Sequence, residues 1–122
     1  MSKVMIVGAS RGIGLELTKQ YAEAGDHVIA CARDMSEAQK LDSLAEGSAN
    51  IVIKELDIGN PKSIESAKSE IGDGILDTLI IVAGTTGGQH QSLDDLDIEE
   101  WHAALNINTI GPALVARAFK AN

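Results

Sequence analysis

The stretch VMIVGASRGIG, residues 4–14, decides the fold of this chain of 122 residues. Four apolar residues of strand length lead into a glycine-rich turn, and a segment with helical periodicity follows. Bare backbone lets a pyrophosphate approach closely, and the helix that follows offers unpaired N–H groups and the positive end of its dipole. The stretch therefore predicts a dinucleotide phosphate site. The predicted contact residues are Gly8, Ser10, Arg11, Gly12, Ile13 and Gly14.

Strands and helices alternate along the rest of the chain. The predicted strands cover residues 3–7, 27–32, 50–56 and 76–82, and the predicted helices cover 12–24, 36–45, 61–71 and a long stretch from Asp97 or Ile98 towards the C-terminus. This alternation predicts an α/β, Rossmann-type parallel sheet with helices on both faces and the strand order 3-2-1-4. A hydrophobic content of 44% with 2% aromatic residues predicts one domain over 1–122 with an aliphatic core.

The spacing G-x-x-x-G-x-G over residues 8–14 resembles that of the short-chain dehydrogenases/reductases. Three later motifs extend the resemblance to the C-terminus: Leu56-Asp57-Ile58 after the third strand, Val82-Ala83-Gly84 after the fourth, and Asn108 before Gly111-Pro112. The resemblance implies that Asp57, with Ile58, contacts the adenine, that Ala83 and Gly84 border the cofactor, and that Asn108 is the catalytic asparagine. The chain departs from the family pattern at Val7, Ile81 and Val82, where a threonine and two asparagines are usual.

The end of the second strand bears on which nicotinamide cofactor fits. An acidic residue usually holds a free ribose 2′-hydroxyl there, but this chain has Arg33 followed by Asp34. A guanidinium suits a 2′-phosphate, and Arg11 in the glycine turn can approach the same group. We therefore predict a preference for NADP(H) over NAD(H). The alternative is that both arginines are ordinary surface charges, with Arg33 paired to Asp34.

Pro112 predicts an irregularity in the last helix. Proline has no N–H to donate to the carbonyl four residues earlier, which here belongs to Asn108, and Gly111 loosens the same turn. A kink or bulge near Asn108 follows. The chain resembles a family in which the asparagine that matches Asn108 holds a water of the proton relay to the catalytic lysine. A bent surface helix without such a role is the alternative.

The family's catalytic serine and Tyr-x-x-x-Lys pair have no counterpart in these 122 residues, where Tyr21 is the only tyrosine. The resemblance therefore implies roughly the first half of a doubly wound domain, truncated after the fourth strand and its helix, and the chain's status as an enzyme stays open. Three interpretations remain. They are the cofactor-binding half of a carbonyl-reductase-like or C-factor-like oxidoreductase, a non-catalytic nucleotide sensor, and an interaction module that pairs with a longer relative.

Charge and cysteine content restrict the partners. A net charge of −8 without a basic cluster argues against nucleic acid and anionic membranes, and no apolar run reaches the length of a membrane span. A single cysteine, Cys31, fits a cytoplasmic location. His27, His90 and His102 lie far apart in sequence, with no cysteine or carboxylate at a ligand spacing, so no metal site is predicted.

The fourth strand predicts self-association. In the order 3-2-1-4 the apolar segment 76–82 forms a sheet edge, and unpaired edges invite pairing with another chain. The last helix also carries apolar residues without an evident neighbour in this chain. We therefore expect an oligomer that forms through the fourth strand or the last helix.

Overall fold

A computed structural model describes residues 1–122. The strands are β1 Lys3–Val7, β2 His27–Ala32, β3 Ile51–Glu55 and β4 Thr78–Ile81. The α-helices are α1 Gly12–Glu23, α2 Gln39–Glu46, α3 Pro61–Ile71, α4 Ile98–Leu105 and α5 Gly111–Phe119. Short 3-10 turns cover Met35–Glu37 and Leu93–Asp95, and a π-helical stretch, Asn106–Ile110, joins α4 to α5 and is called the π segment below.

The four strands form one parallel sheet in the order β3-β2-β1-β4, as predicted. Alternate residues of β1 point to opposite faces, so Val4 and Ile6 pack in one buried cluster while Met5 and Val7 pack in another. The first cluster includes residues of α1 and α2, and the second includes residues of α3 and α5. Helices therefore cover both faces of the sheet, which confirms the predicted fold class.

Most helix boundaries follow the local signals in the sequence. The side chain of Asn60 accepts a hydrogen bond from the Lys62 N–H at 3.1 Å, and Pro61 occupies the first turn of α3. Gly72 ends α3 with a φ of +76°, a conformation that favours glycine. No helix combines the length and apolar character that crossing a membrane requires.

The predicted boundaries were wrong at several elements, and α1 ends one residue earlier than predicted. β3 is shorter by one residue at each end, and β4 covers only Thr78–Ile81. Leu76, predicted as its first residue, donates its N–H to the Asn122 carbonyl instead of to β1. β4 is also half-buried rather than buried, since no strand flanks its outer side. The helix predicted from residue 36 begins at Gln39, because Asp34 caps a separate 3-10 turn.

The predicted irregularity near Asn108 is the π segment. There the Gly111 N–H donates to the carbonyl of Asn106, five residues earlier, instead of the usual four. The single long helix predicted for this region is therefore three consecutive pieces: α4, the π segment and α5. Asp97 begins α4 by accepting hydrogen bonds from the N–H groups of Glu99 and Glu100.

Candidate functional site

A cleft of about 500 Å³ lies where the carboxyl ends of the four strands meet. Such an edge of a parallel sheet is where ligands bind in open α/β folds. The lining residues are Gly8, Ser10, Arg11, Gly12, Ile13, Gly14, Arg33, Asp34, Glu37, Leu56, Asp57, Ile58, Val82, Ala83, Gly84, Thr85 and Ile107. This one cleft thus brings together every residue that the sequence predicted to contact the cofactor.

The glycine turn, residues 8–14, is packed too tightly for side chains at two of its positions. A Cβ on Gly14 would lie 1.9 Å from the Gly8 carbonyl oxygen, and a Cβ on Gly8 would lie 2.7 Å from the Ala83 nitrogen. The hydroxyl of buried Thr18 on α1 donates to the Gly14 carbonyl at 2.7 Å and so fixes the end of the turn against the helix. The turn therefore runs directly against the end of β4.

The first turn of α1 has the features of an anion site. No side chain caps it, and it contains no acidic residue. Gly12 has a φ of +56°, and a Cβ there would meet nothing within 4 Å. Uncapped N–H groups beside open space at a helix N-terminus are favourable for a phosphate.

Arg11 and Arg33 line the cleft, and neither forms an ion pair within the chain. Arg33 forms no ion pair with Asp34, which was one part of the alternative interpretation. The Asp34 carboxylate instead accepts hydrogen bonds from the Ser36 hydroxyl at 2.6 Å and the Ser36 N–H at 2.9 Å. Both hydrogen bonds lower the pKa of Asp34, and the bond from the hydroxyl has the larger effect. Both guanidinium groups are therefore available to an anion in the cleft.

The loop after β3, residues 56–60, contributes Leu56, Asp57 and Ile58 to the cleft. The Asp57 carboxylate accepts the Gly59 N–H at 2.9 Å, and the Asp57 N–H donates to the Ser63 hydroxyl at 2.8 Å. Ile58 is buried. The acid predicted to contact the adenine is thus held in place by α3 and by its own loop, which we call the β3 loop.

The loop after β4, residues 82–92, begins inside the cleft and is called the β4 loop. The Val7 carbonyl accepts the N–H groups of Val82 and Ala83 at 2.9 and 3.1 Å. Backbone hydrogen bonds therefore join the ends of β1 and β4, although Val7 and Val82 replace the polar residues usual in the resembled family.

Asn108 itself does not line the cleft. Its side chain forms two hydrogen bonds with Thr85, which does: Nδ2 donates to the Thr85 carbonyl at 2.7 Å, and Oδ1 accepts the Thr85 N–H at 2.8 Å. Asn108 thus holds the β4 loop in position. Its role in a proton relay stays a prediction.

Sequence reasoning missed several cleft residues and one residue that supports them. Asp34, Glu37, Leu56, Val82, Thr85 and Ile107 also line the cleft. Asn106 supports it through a hydrogen bond from its Nδ2 to the Gly59 carbonyl at 2.8 Å, between residues 47 positions apart. Thr85 and Val82 adjoin predicted residues, so proximity in sequence was a usable signal. Asn106 carried no such signal, because its partner lies on a distant loop.

A second cavity, of about 390 Å³, lies beside the β4 loop and is lined partly by His90, Trp101 and Leu105. Contrary to the sequence-based expectation, His90 has carboxylates nearby: its imidazole lies within 4.8 Å of those of Asp97 and Glu100. His90 Nδ1 lies 3.0 Å from Glu100 Oε1, and this hydrogen bond, followed by the charge of Glu100, raises the pKa of His90.

Outside this region, burial of Cys31 in the core raises the pKa of its thiol to about 12.

Comparison with known proteins gives one family. The family model for the short chain dehydrogenases matches residues 2–122. Among curated relatives, the short chain dehydrogenase tazN of Aspergillus terreus is 35% identical over 121 residues, which are 95% of this chain and 26% of the relative. An NADPH-dependent pterin aldehyde reductase of Arabidopsis thaliana is 29% identical, over 95% of this chain and 48% of the relative. The chain thus spans less than half of either relative.

Solved structures agree with this assignment. An NADPH-bound carbonyl reductase from chicken fatty liver is 30% identical, with a TM-score of 0.89 over 98% of this chain and 47% of that one. A carbonyl reductase from Pseudomonas aeruginosa PAO1 in complex with NADP is 34% identical, with a TM-score of 0.90 over 98% of this chain and 55% of that one. Both match the fold of the present chain along almost its whole length.

Proposed function

This chain belongs to the short-chain dehydrogenase family, and we propose that it is the NADP(H)-binding portion of an oxidoreductase that acts on a carbonyl or hydroxyl group. One observation carries the cofactor choice: Arg11 and Arg33 line the cleft beside the glycine turn without carboxylate partners. Guanidinium groups form charge-assisted hydrogen bonds with phosphate oxygens. The two similar structures bound to NADPH or NADP support the same choice.

Each part of the cleft suits one part of the dinucleotide. The uncapped first turn of α1 and open Gly12 would receive the pyrophosphate. Arg11 and Arg33 would hold the 2′-phosphate, while Asp57 and Ile58 would border the adenine. Ala83 and Gly84 would line the remaining length of the cofactor. A bound nicotinamide supplies or accepts a hydride, and the residues of the cleft would orient the cofactor.

Titration of the chain with NADPH and with NADH tests the proposal. We expect tighter binding of NADPH, and we expect Arg33→Ala to raise its Kd about 10-fold or more, as for a lost hydrogen bond to a charged group. NADH binding should change by less than about twofold in this variant, because NADH lacks the 2′-phosphate that the guanidinium would contact. Arg117→Ala is the matched control, since Arg117 is exposed on α5 and lies outside the cleft.

Failure to bind either nucleotide would overturn the proposal. Equal losses of NADPH and NADH affinity in Arg33→Ala would overturn the choice of NADP(H) while leaving a dinucleotide site. Arg11→Ala should behave like Arg33→Ala, because both arginines would contact the same phosphate.

Self-association is a separate part of the proposal. The edge strand β4 reads TLII without a charge, whereas the opposite edge strand β3 carries Lys54 and Glu55, and charged side chains protect sheet edges. α4 also exposes Ile98, Trp101 and Leu105 by 55%, 53% and 56%. Light scattering at tens of micromolar that finds only monomer would contradict association. The single cysteine supports a cytoplasmic location, and the net charge of −8 argues against nucleic acid as a partner.

A further inference from the structure

We propose that Asn106 is a positioning residue for the adenine end of the cleft, an inference that rests on the proposed binding of NADP(H). Asn106 does not line the cleft. Its Nδ2 donates to the Gly59 carbonyl at 2.8 Å, and Gly59 belongs to the β3 loop, whose residues Asp57 and Ile58 do line it. The side chain therefore acts on the cleft through this loop.

Gly59 transmits the position of Asn106 to Asp57. The Gly59 N–H donates to the Asp57 carboxylate at 2.9 Å, while the Gly59 carbonyl accepts from Asn106. The start of the loop is held separately, because the Asp57 N–H donates to the Ser63 hydroxyl. Without Asn106, the β3 loop would keep its attachment to α3 but lose its side-chain hydrogen bond to the π segment.

The π segment brings Asn106 close enough to make this bond. Gly111 packs against the β3 loop so closely that a Cβ there would lie 2.4 Å from the Ile58 carbonyl oxygen. Residues two positions apart on a helix point to different sides. Accordingly, Asn106 contacts the β3 loop, Asn108 contacts Thr85 of the β4 loop, and Ile107 between them lines the cleft.

The test is binding of adenosine 2′,5′-bisphosphate, which contains the adenine and the 2′-phosphate but no nicotinamide. In Asn106→Leu, a change that keeps the branched side-chain shape but removes the donor, we expect the Kd for this probe and for NADPH to rise by the same factor, about three- to tenfold. Asn106→Gln keeps an amide donor and should bind both within about threefold of the unaltered chain. Asn50→Leu is the control, because Asn50 precedes β3 at the opposite end of the sheet from the cleft.

Gly59→Ala tests the contact between the π segment and the β3 loop by changing the residue that accepts the hydrogen bond from Asn106. A Cβ on Gly59 would lie 3.2 Å from Ile107 Cγ1, 3.4 Å from Asp57 Oδ1 and 3.5 Å from Asn106 Nδ2. Only the Ile107 contact is tighter than ordinary, so the π segment would have to shift slightly at the residue next to Asn106. We expect a smaller loss in the same direction for both nucleotides. If Asn106→Leu does not fold, as judged by circular dichroism, Gly59→Ala carries the test.

The possible failures are distinguishable. If the unaltered chain binds neither adenosine 2′,5′-bisphosphate nor NADPH, the proposed function fails. If it binds both, and folded Asn106→Leu and Gly59→Ala bind both equally well, the positioning role of Asn106 is wrong. A loss for NADPH without a loss for adenosine 2′,5′-bisphosphate also contradicts the role, because the effect would then lie outside the adenine end.

Discussion

The glycine turn and the π segment both hold the candidate cleft, but they do so by different physical means. In the turn, backbone packs directly on backbone, and Gly14 has no room for a side chain beside the Gly8 carbonyl. At the π segment, Asn106 and Asn108 reach two separate loops with side-chain amides. The glycine turn depends on the absence of side chains at its tightest positions, whereas the π segment depends on the hydrogen bonds that its side chains make.

This difference has consequences for stability and for binding. A steric clash in the turn displaces the backbone between β1 and α1, so damage there spreads into the core. Loss of an amide at the π segment removes one hydrogen bond and loosens one loop. Changes in the turn should therefore affect folding most, while changes at the π segment should affect the shape of the cleft.

The largest effect should come from Gly14→Ala. Its Cβ would meet the Gly8 carbonyl oxygen at 1.9 Å and Val82 Cγ2 at 2.9 Å, and backbone on one side cannot yield cheaply. We expect a loss of about 3 kcal/mol or more in the free energy of unfolding, measured by urea denaturation. Gly12→Ala, with open space but a φ of +56°, should lose only about 1–2 kcal/mol. Equal losses in the two variants would contradict the close packing of the turn.

Gly111→Ala applies the same kind of change directly after the π segment, at the first residue of α5. Its Cβ would lie 2.4 Å from the Ile58 carbonyl oxygen and 3.1 Å from that of Asn106, which forces the π segment away from the β3 loop. The expected loss is about 1–3 kcal/mol, smaller than at Gly14 because a loop can move. Gly47→Ala is the control, since its Cβ would meet only ordinary contacts at 3.6 Å and beyond. A Gly111 variant as stable as this control would show that the segment and the loop are not in close contact.

The smallest effect concerns the far end of the β4 loop, where His90 bonds to Glu100. The bond raises the pKa of His90, so its contribution to stability is present at low pH and is lost as the pH rises through that raised pKa. In an NMR titration we expect the His90 midpoint to lie above the usual histidine range. Glu100→Gln should lower it, whereas Glu99→Gln should leave it unchanged. A midpoint that does not respond to Glu100→Gln would mean that the bond does not form in solution.

The difference between the glycine turn and the π segment also explains which features could be predicted from the sequence alone. The glycine spacing, the strand that precedes it and the helix that follows all lie within residues 4–24, so local rules were enough to predict the turn. The strand order followed from the alternation of strands and helices along the whole chain. Pro112 likewise predicted an irregularity near Asn108 because proline acts within one helical turn. The hydrogen bond from Asn106 to Gly59 could not be predicted in this way, because it joins residues 47 positions apart.

Boundary errors have the same origin. The seven residues from Leu76 to Val82 were predicted as a buried strand, but the strand that forms the ladder with β1 covers only Thr78–Ile81. Which residues pair depends on the neighbouring strand and on the hydrogen bond from Leu76 to Asn122, neither of which is encoded in a short apolar run. The carboxylates near His90 escaped notice for the same reason, since the fold of the β4 loop brings them together.

Hydrogen exchange with and without saturating NADPH tests most directly whether the two regions form one cofactor site. We predict slower exchange on binding in the glycine turn, in the β3 loop around Gly59, and at Gly84 and Thr85 of the β4 loop. Protection confined to the glycine turn would show that the asparagine-held loops do not belong to the site. Protection in none of the three would contradict the cleft as the place where NADPH binds.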